Sequence, residues 1–315
     1  MRPSRTEAKT PGRGSWRQFA LLTRRYLDVL LGMPGQVIML FVQVPLIVGI
    51  VTVVLRGSGG HARDERLLYF VISLAALWLG MMNACMEIAR EAPIYKRERV
   101  LGLGLNAYLA SKFVVLAAMG ALQCGLMVLL LSALFVVTGD PLWHWVGLTL
   151  TSLTATGVGL FISAFALSIE KAIAMVPMAI LMQFLFSHFF VSMLRASSPR
   201  PDASSQTAPA RTTDGTAVLD VVEWVSIATW SDNFILQVAG GSDRYEASLM
   251  SLPGMGSATT STTGKEPDSD PCRITARRAT AMGADAGMLL LFTLANLAGA
   301  RHWLRRRDVR HAQPT

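Results

Sequence analysis

Three carboxylates, Glu87, Glu91 and Glu98, gather in residues 87–112, a stretch between two long apolar runs that reads EIAREAPIYKRERVLGLGLNAYLASK. Carboxylates clustered at one membrane face could act as general acid and base on a lipid-linked substrate. Arg90, Lys96, Arg97 and Arg99 are interleaved with them and would neutralise them. The five histidines, His61, His144, His188, His302 and His311, have no metal-ligand spacing. His144 and His302 fall at the ends of apolar runs and suit an interface. His188 falls inside one, where an ionisable group is a functional candidate but also suits packing against a hydroxyl or carbonyl. No GxxxxGK(S/T) sequence occurs, and Thr263-Gly264-Lys265-Glu266 lacks the glycine and hydroxyl that cradle phosphate and Mg²⁺. The chain is therefore expected to carry no catalytic, cofactor-binding or metal-binding residues of its own.

The elements that must position the charged stretch are membrane helices. Of 315 residues, 52% are hydrophobic and 16% charged, with mean hydropathy +0.42. That is too apolar for an ordinary soluble domain. Six segments supply the ~20 apolar residues that a helix needs to cross a bilayer. They are residues 36–55, 67–86, 113–139, 145–169, 172–194 and a short 283–300, with Asp285 near the start of the last. Pro177 is expected to kink the fifth.

Arg2, Arg5, Lys9, Arg13, Arg17, Arg24 and Arg25 precede the first span, and Arg301, Arg305, Arg306, Arg307 and Arg310 follow the last. Positive residues stay on the cytoplasmic side, and an even number of spans returns the chain to it. Both termini are thus expected in the cytoplasm, together with the stretch that carries Arg90, Lys96, Arg97, Arg99 and Lys112. Nothing before the first span resembles a cleaved signal. The net charge of +8 flanks spans and forms no stripe interleaved with aromatics, which points to membrane lipid and away from nucleic acid. Arginine outnumbers lysine 24 to 5, a hint of a GC-rich bacterial genome and so of a bacterial plasma (inner) membrane. Three cysteines make no disulfide framework. Cys85 and Cys124 are expected as packing residues and Cys272 as a free thiol.

Residues 1–15 form a disordered basic tail on this reading. Residues 16–32 form an interfacial amphipathic helix, with Trp16, Phe19, Leu22, Tyr26, Val29 and Leu30 at helical spacing and Gly32, Pro34 and Gly35 ending it. Spans one to five occupy 33–194, with a tight turn at Asp140-Pro141. Only Glu170 and Lys171 separate spans four and five, which are expected to pair as a hairpin. Residues 195–282 form a long, partly disordered extracytoplasmic loop whose Ser-, Thr- and Pro-rich flanks bury too little surface to order. Its centre, 218–238, with Trp224, Trp230, Phe234 and Leu236, is expected as one or two short helices resting at the outer membrane interface. Residues 283–304 form span six and 305–315 a basic cytoplasmic tail. The fold class is all-α integral membrane.

Within 87–112, Pro93 suits a first helical turn, with Glu91 near the helix N-terminus. Ile94 and Leu101 can share a face with Glu98 between them, Gly102 and Gly104 release the helix, and Asn106 would cap the next. A short amphipathic elbow and a snorkelling basic loop both satisfy this pattern. Glu87, Glu91, Ile94, Tyr95, Glu98, Gly102, Tyr108, Ser111 and Lys112 together resemble the membrane domain of the ABC-2 type transporters. The likeness is to the G (White) subfamily and its bacterial relatives, in which this domain often follows a forkhead-associated and an ATPase domain. The shared pattern is an acidic residue ending span two, a Glu, Ile/Leu-Tyr/Phe, Glu helix, a glycine, and a Tyr then Ser/Gly-Lys opening span three. It is strongest over 67–135, thinner over 140–195 and nearly absent over 196–282.

The resemblance implies a six-transmembrane-helix permease half working as a dimer, with a homodimer expected. A separate ABC ATPase subunit would hold ATP and Mg²⁺ and grip the coupling helix within 90–105. On that basis Glu91, Pro93, Tyr95, Arg97, Glu98 and Arg99 would transmit force, while Asn83 and Glu87 anchor the end of span two. The path would run between spans two and five, past Trp78, Met81, Asn83, Met178, Met182, Gln183 and Phe186. Met and Phe offer adaptable apolar surface, suited to a lipid, drug-like or polymer substrate, and export follows from the resemblance alone. A multispan membrane enzyme acting on a lipid-linked substrate is the second hypothesis, and a scaffold that gathers partners the third. The enzyme needs its acids or histidines brought together unneutralised at one membrane face, whereas the permease needs an ATPase partner.

Overall fold

A computed structural model describes residues 11–57, 62–134, 139–166, 168–197, 224–239 and 271–311. The expectations for residues 1–10, for His61 and for the loop segments 198–223 and 240–270 fall outside these. The described residues form ten α-helices: α1 (Pro11–Leu31), α2 (Pro34–Gly57), α3 (Ala62–Ala84), α4 (Glu87–Val100), α5 (Leu105–Leu134), α6 (Pro141–Phe165), α7 (Ile169–Leu185), α8 (His188–Ser197), α9 (Ile227–Val238) and α10 (Pro271–His311). Five stretches, carried by α2, α3, α5, α6 and α10, are long and apolar enough to cross a membrane.

The hub is α6, which packs on α3, α5 and α10. It buries hydroxyl-bearing and small residues, among them Thr151, Ser152, Thr154, Ala155, Gly157 and Gly159. Small residues let helix backbones approach closely where lipid supplies no hydrophobic drive. A Cβ on Gly80 of α3 would lie 2.3 Å from the Ser152 carbonyl oxygen, and one on Gly159 2.8 Å from that of Met81. The buried threonine hydroxyls Thr151, Thr154 and Thr156 are satisfied within and across helices, whereas Ser152 Oγ has no hydrogen-bond partner among the described residues. Thr154 Oγ1 is 2.9 Å from the Leu150 carbonyl and 3.0 Å from that of Leu289, and it accepts from Thr293 Oγ1 at 3.1 Å. Cys85 and Cys124 are buried and free.

The turn into α6 forms as its residues dictate. Asp140 Oδ1 accepts from the Leu142 amide at 2.9 Å, and Pro141 opens the helix. Gly139 adopts φ 97°, and a Cβ there would meet the Val238 carbonyl oxygen at 2.5 Å. After α6, Ser168 caps α7, which packs on α3 as well as on α6.

Besides α1, which already begins at Pro11 inside the 1–15 tail expected to be disordered, the structure departs from the sequence expectations in three elements. Residues 172–194 are not one continuous span: α7 stops at Leu185 and α8 starts at His188. Ser187 Oγ accepts from the Phe190 amide at 3.2 Å as an N-cap, and Thr229 Oγ1 accepts the His188 amide at 3.1 Å. At 17 residues α7 is about 25 Å long, short of a ~30 Å hydrocarbon core. Secondly, the centre of the long loop folds into the bundle as α9. It packs among α3, α6 and α10 and buries Phe234 and Ile235, with the Phe234 ring over Gly147 of α6. Trp224, just before it, is exposed and accepts on its carbonyl from Trp230 Nε1 at 2.8 Å. Thirdly, α10 spans 41 residues and stays helical well past residue 300, into the segment expected as a tail.

Candidate functional site

The charged stretch folds as the helix α4, one turn beyond the end of α3. It begins at Glu87, so Pro93 stands inside the helix and not in its first turn. Gly102 releases the chain with φ 95°, a conformation that favours glycine. Asn106 does not cap α5, because that helix already starts at Leu105. The Gly104 amide donates instead to Gln18 Oε1 of α1 at 3.2 Å.

The inward face of α4 carries a buried ion cluster. Lys112 of α5, with a side chain 3% exposed, lies 2.6 Å from Glu91 Oε1 and 3.3 Å from Glu87 Oε2. Its Nζ sits 3.9 Å above the centre of the Tyr26 ring of α1, a cation–π arrangement. Glu87 Oε1 also accepts from Arg90 at 2.6 Å, and Arg90 reaches Gln36 Oε1 of α2 at 3.2 Å. Tyr108 donates to Glu91 Oε2 at 3.4 Å. Arg25 of α1 pairs with Glu98, a bond that holds the guanidinium pKa above its ordinary value. Burial pushes the Tyr26 phenol up. The carboxylates that could have served acid–base chemistry are therefore spent on internal cations. Lys112, counted from the sequence among the cytoplasmic positive residues, is the buried centre of the cluster.

The outward face of α4 is different. Pro93, Ile94, Lys96 and Arg97 are exposed, and Val100 and Leu101 are 88% and 86% exposed. Of the predicted force-bearing residues, Glu91 and Tyr95 point inward, Glu98 and Arg99 are half-buried in ion pairs, and Pro93 and Arg97 face outward. Tyr95 donates to Asp308 at 3.1 Å, and Arg99 Nε to the same carboxylate at 2.8 Å. Sequence reasoning missed Asp308. Its signal was a single acid four residues after Leu304, among arginines, on a helix that had not ended.

The predicted path residues separate into two groups. Trp78, Met178, Met182 and Phe186 are exposed, and α7 buries only Ala172, Val176 and Ile180. Asn83 is buried and donates to Gln123 Oε1 at 2.6 Å, and Gln123 donates to the Leu40 carbonyl at 2.8 Å. Gln183 Oε1 accepts from the Ile227 amide at 2.7 Å and so caps α9. Met81 is buried. His144, expected at an interface, is buried with its ring stacked on Tyr69, whereas His302 is exposed.

Asp232 of α9 is fully buried, and neither of its carboxylate oxygens has a hydrogen-bond partner among the described residues. Burial pushes its acid from 3.8 up to about 7, against the opposing pull of Arg66. The native chain thus keeps a proton that the unfolded chain releases, and stability falls as pH rises between those values. Asp232→Asn is expected to remove that slope. It should melt roughly 3 °C above the native sequence at pH 8 with little change at pH 4. Thermal unfolding in detergent at the two pH values measures this, and an equal shift at both would contradict it.

Among the described residues, an all-helical bundle with five helices long and apolar enough to cross a membrane suggests a multi-pass membrane protein. The ABC-2 type transporter family matches residues 17–197, more than half of the chain, and the chain belongs to that family. Over 235 residues it is 22% identical to an ABC transporter ATP-binding/permease protein of Mycobacterium tuberculosis. That match covers 68% of this chain and 24% of the relative, so the chain spans about a quarter of the relative's length.

Proposed function

We propose that the chain is the membrane-spanning permease half of an ATP-driven exporter. It works as a homodimer in a bacterial plasma membrane, both termini in the cytoplasm, and α4 is the helix that a separate ATPase subunit grips. One observation carries this reading: α4 is bonded inward to α1, α5 and α10, while Ile94, Lys96, Arg97, Val100 and Leu101 stand outward with two nearly bare aliphatic side chains. Exposed apolar residues rimmed by charge mark a docking surface. A push on that face passes through Glu87 and Glu91 to Lys112 of α5 and through Glu98 to Arg25 of α1. The relative's name, which pairs ATP binding with a permease, supports a motor as partner. ATP and Mg²⁺ belong on that partner, because the sequence here offers no phosphate cradle. The exposed thioether and aromatic surface of α7 suits a lipid or amphipathic drug-like substrate.

Co-purification with a candidate ATPase, followed by Val100→Asp with Leu101→Asp, tests the grip. Membrane insertion is expected to stay intact and affinity for the ATPase to fall about tenfold or more. Unchanged affinity, or labelling of residues 90–105 by an impermeant reagent from outside the cell, would overturn the reading.

A further inference from the structure

We propose that the last turn of α10 is a latch on the elbow, with Asp308 fastening Arg99 and Tyr95 of α4 so that α4 and α10 move as one body. Asp308 Oδ2 accepts from Arg99 Nε at 2.8 Å and from the Tyr95 hydroxyl at 3.1 Å. The same guanidinium donates to the Leu103 carbonyl, so one side chain ties α10 to the turn that ends α4. Beside it, Arg307 donates to the Ala164 carbonyl of α6 at 3.1 Å. Ala300 and Leu304 are buried with Ile88 and Tyr95. The crevice left between the two helices holds about 20 Å³, room for roughly one water.

The charge pattern says why a carboxylate stands there. The end of α10 carries Arg301, Arg305, Arg306, Arg307 and Arg310, and the end of α4 carries Lys96, Arg97 and Arg99. Two such ends repel unless an acid lies between them. An acid in the last turn of a helix is unfavourable to that helix, whose C-terminal dipole is negative. Asp308 therefore serves its partner across the gap and not α10 itself. Its side chain is 22% exposed and that of Arg99 35%, so water screens the pair and the latch can open. At its other end α10 bonds α9, where Gln237 donates to Asp285 at 2.8 Å. The latch thus joins the elbow to the helix that reaches the far cluster of the bundle. The contact is seen in the structure, while its role in coupling rests on the permease reading.

The test uses the full chain in lipid nanodiscs, with Cys85, Cys124 and Cys272 replaced by alanine and spin labels at Lys96 and Arg306, both exposed. Without any ATPase, Asp308→Asn is expected to broaden the distance distribution about twofold, on timescales that such labels sample. The charge swap Arg99→Asp with Asp308→Arg should narrow it again, which a merely structural loss would not do. A distribution unchanged by Asp308→Asn, or a swap that fails to narrow it, overturns the latch. With the ATPase bound, a label at Lys171 serves as reference. Mg-ATP with vanadate is expected to move positions 96 and 306 relative to 171 while their mutual distance holds, and Asp308→Asn should let 96 move alone. A changing 96–306 distance in the native sequence overturns the latch. If neither position moves relative to 171 while the chain-alone result holds, the contact stands and the permease reading fails.

Discussion

Lys112→Ala is expected to abolish the folded chain or leave it strongly destabilised. Its ammonium is the shared partner of Glu87 and Glu91, and Glu87 is itself buried. Removing one member of a buried ion cluster leaves uncompensated charge and costs about 3–5 kcal/mol, a large share of a typical stability of about 5–15 kcal/mol. Arg90 still reaches Glu87 from one side, but Glu91 keeps only the long contact from Tyr108. The triple variant Glu87→Gln, Glu91→Gln, Lys112→Met removes all three charges together and should recover most of the loss, since buried ion pairs replaced by uncharged groups are often neutral. Melting temperature and the monodisperse fraction in detergent measure both effects. A Lys112→Ala chain as stable as the native one would show that the cluster does not hold the elbow.

Gly80→Ala is the second large effect, although it adds a single methyl group. The new Cβ would sit 2.3 Å from the Ser152 carbonyl oxygen and 2.8 Å from the Ala155 Cβ. The oxygen belongs to the α6 backbone and cannot rotate away, so the two helices must separate. Overpacking costs about 1–3 kcal/mol where side chains can yield, and more is expected here because α3 against α6 is the most extensive helix pair of the bundle. Gly49→Ala is the matched control. Nothing lies within 4 Å of a Cβ there, and alanine in place of a helical glycine should gain about 0.5–1 kcal/mol. Opposite signs of the two shifts in melting temperature are the expected result, and a tolerated Gly80→Ala would sink the close-approach argument.

The all-helical class and the turn at Asp140-Pro141 were legible because each has a local cause: apolar runs, and a capping acid before a proline; the elbow was one of two readings of its charged stretch, and the family resemblance chose it. Gly102 is the clearest instance, since its φ of 95° is what the helix exit required. Long-range bonds were not legible. The break at Ser187 depends on Thr229, 42 residues away, and hydropathy sees only an unbroken apolar run. Lys112 counted only as one more positive residue of a cytoplasmic stretch because charge counting ignores partners, and those partners lie 21 and 25 residues earlier on another helix. Pro93 looked like a helix start because proline is tolerated there, yet Glu87 and Arg90 wind the helix six residues sooner. Asn83 had two readings, an anchor for the end of span two and a path residue, and its bond to Gln123 fits the first; Gln183 looked like a polar group on the path, whereas it is committed to α9.

The engagement of Gln183 with α9 has a further consequence. Its amide oxygen is held by the Ile227 amide, and the α7 side chains left outward between Ala172 and Ser187 are aliphatic, thioether or aromatic, with Met178, Met182 and Phe186 among them. Apart from the Gln183 amide nitrogen, a molecule lying along that surface meets apolar side chains. On the permease reading proposed above, selection there would follow girth and oiliness, and chemically unrelated compounds of similar bulk would compete with one another.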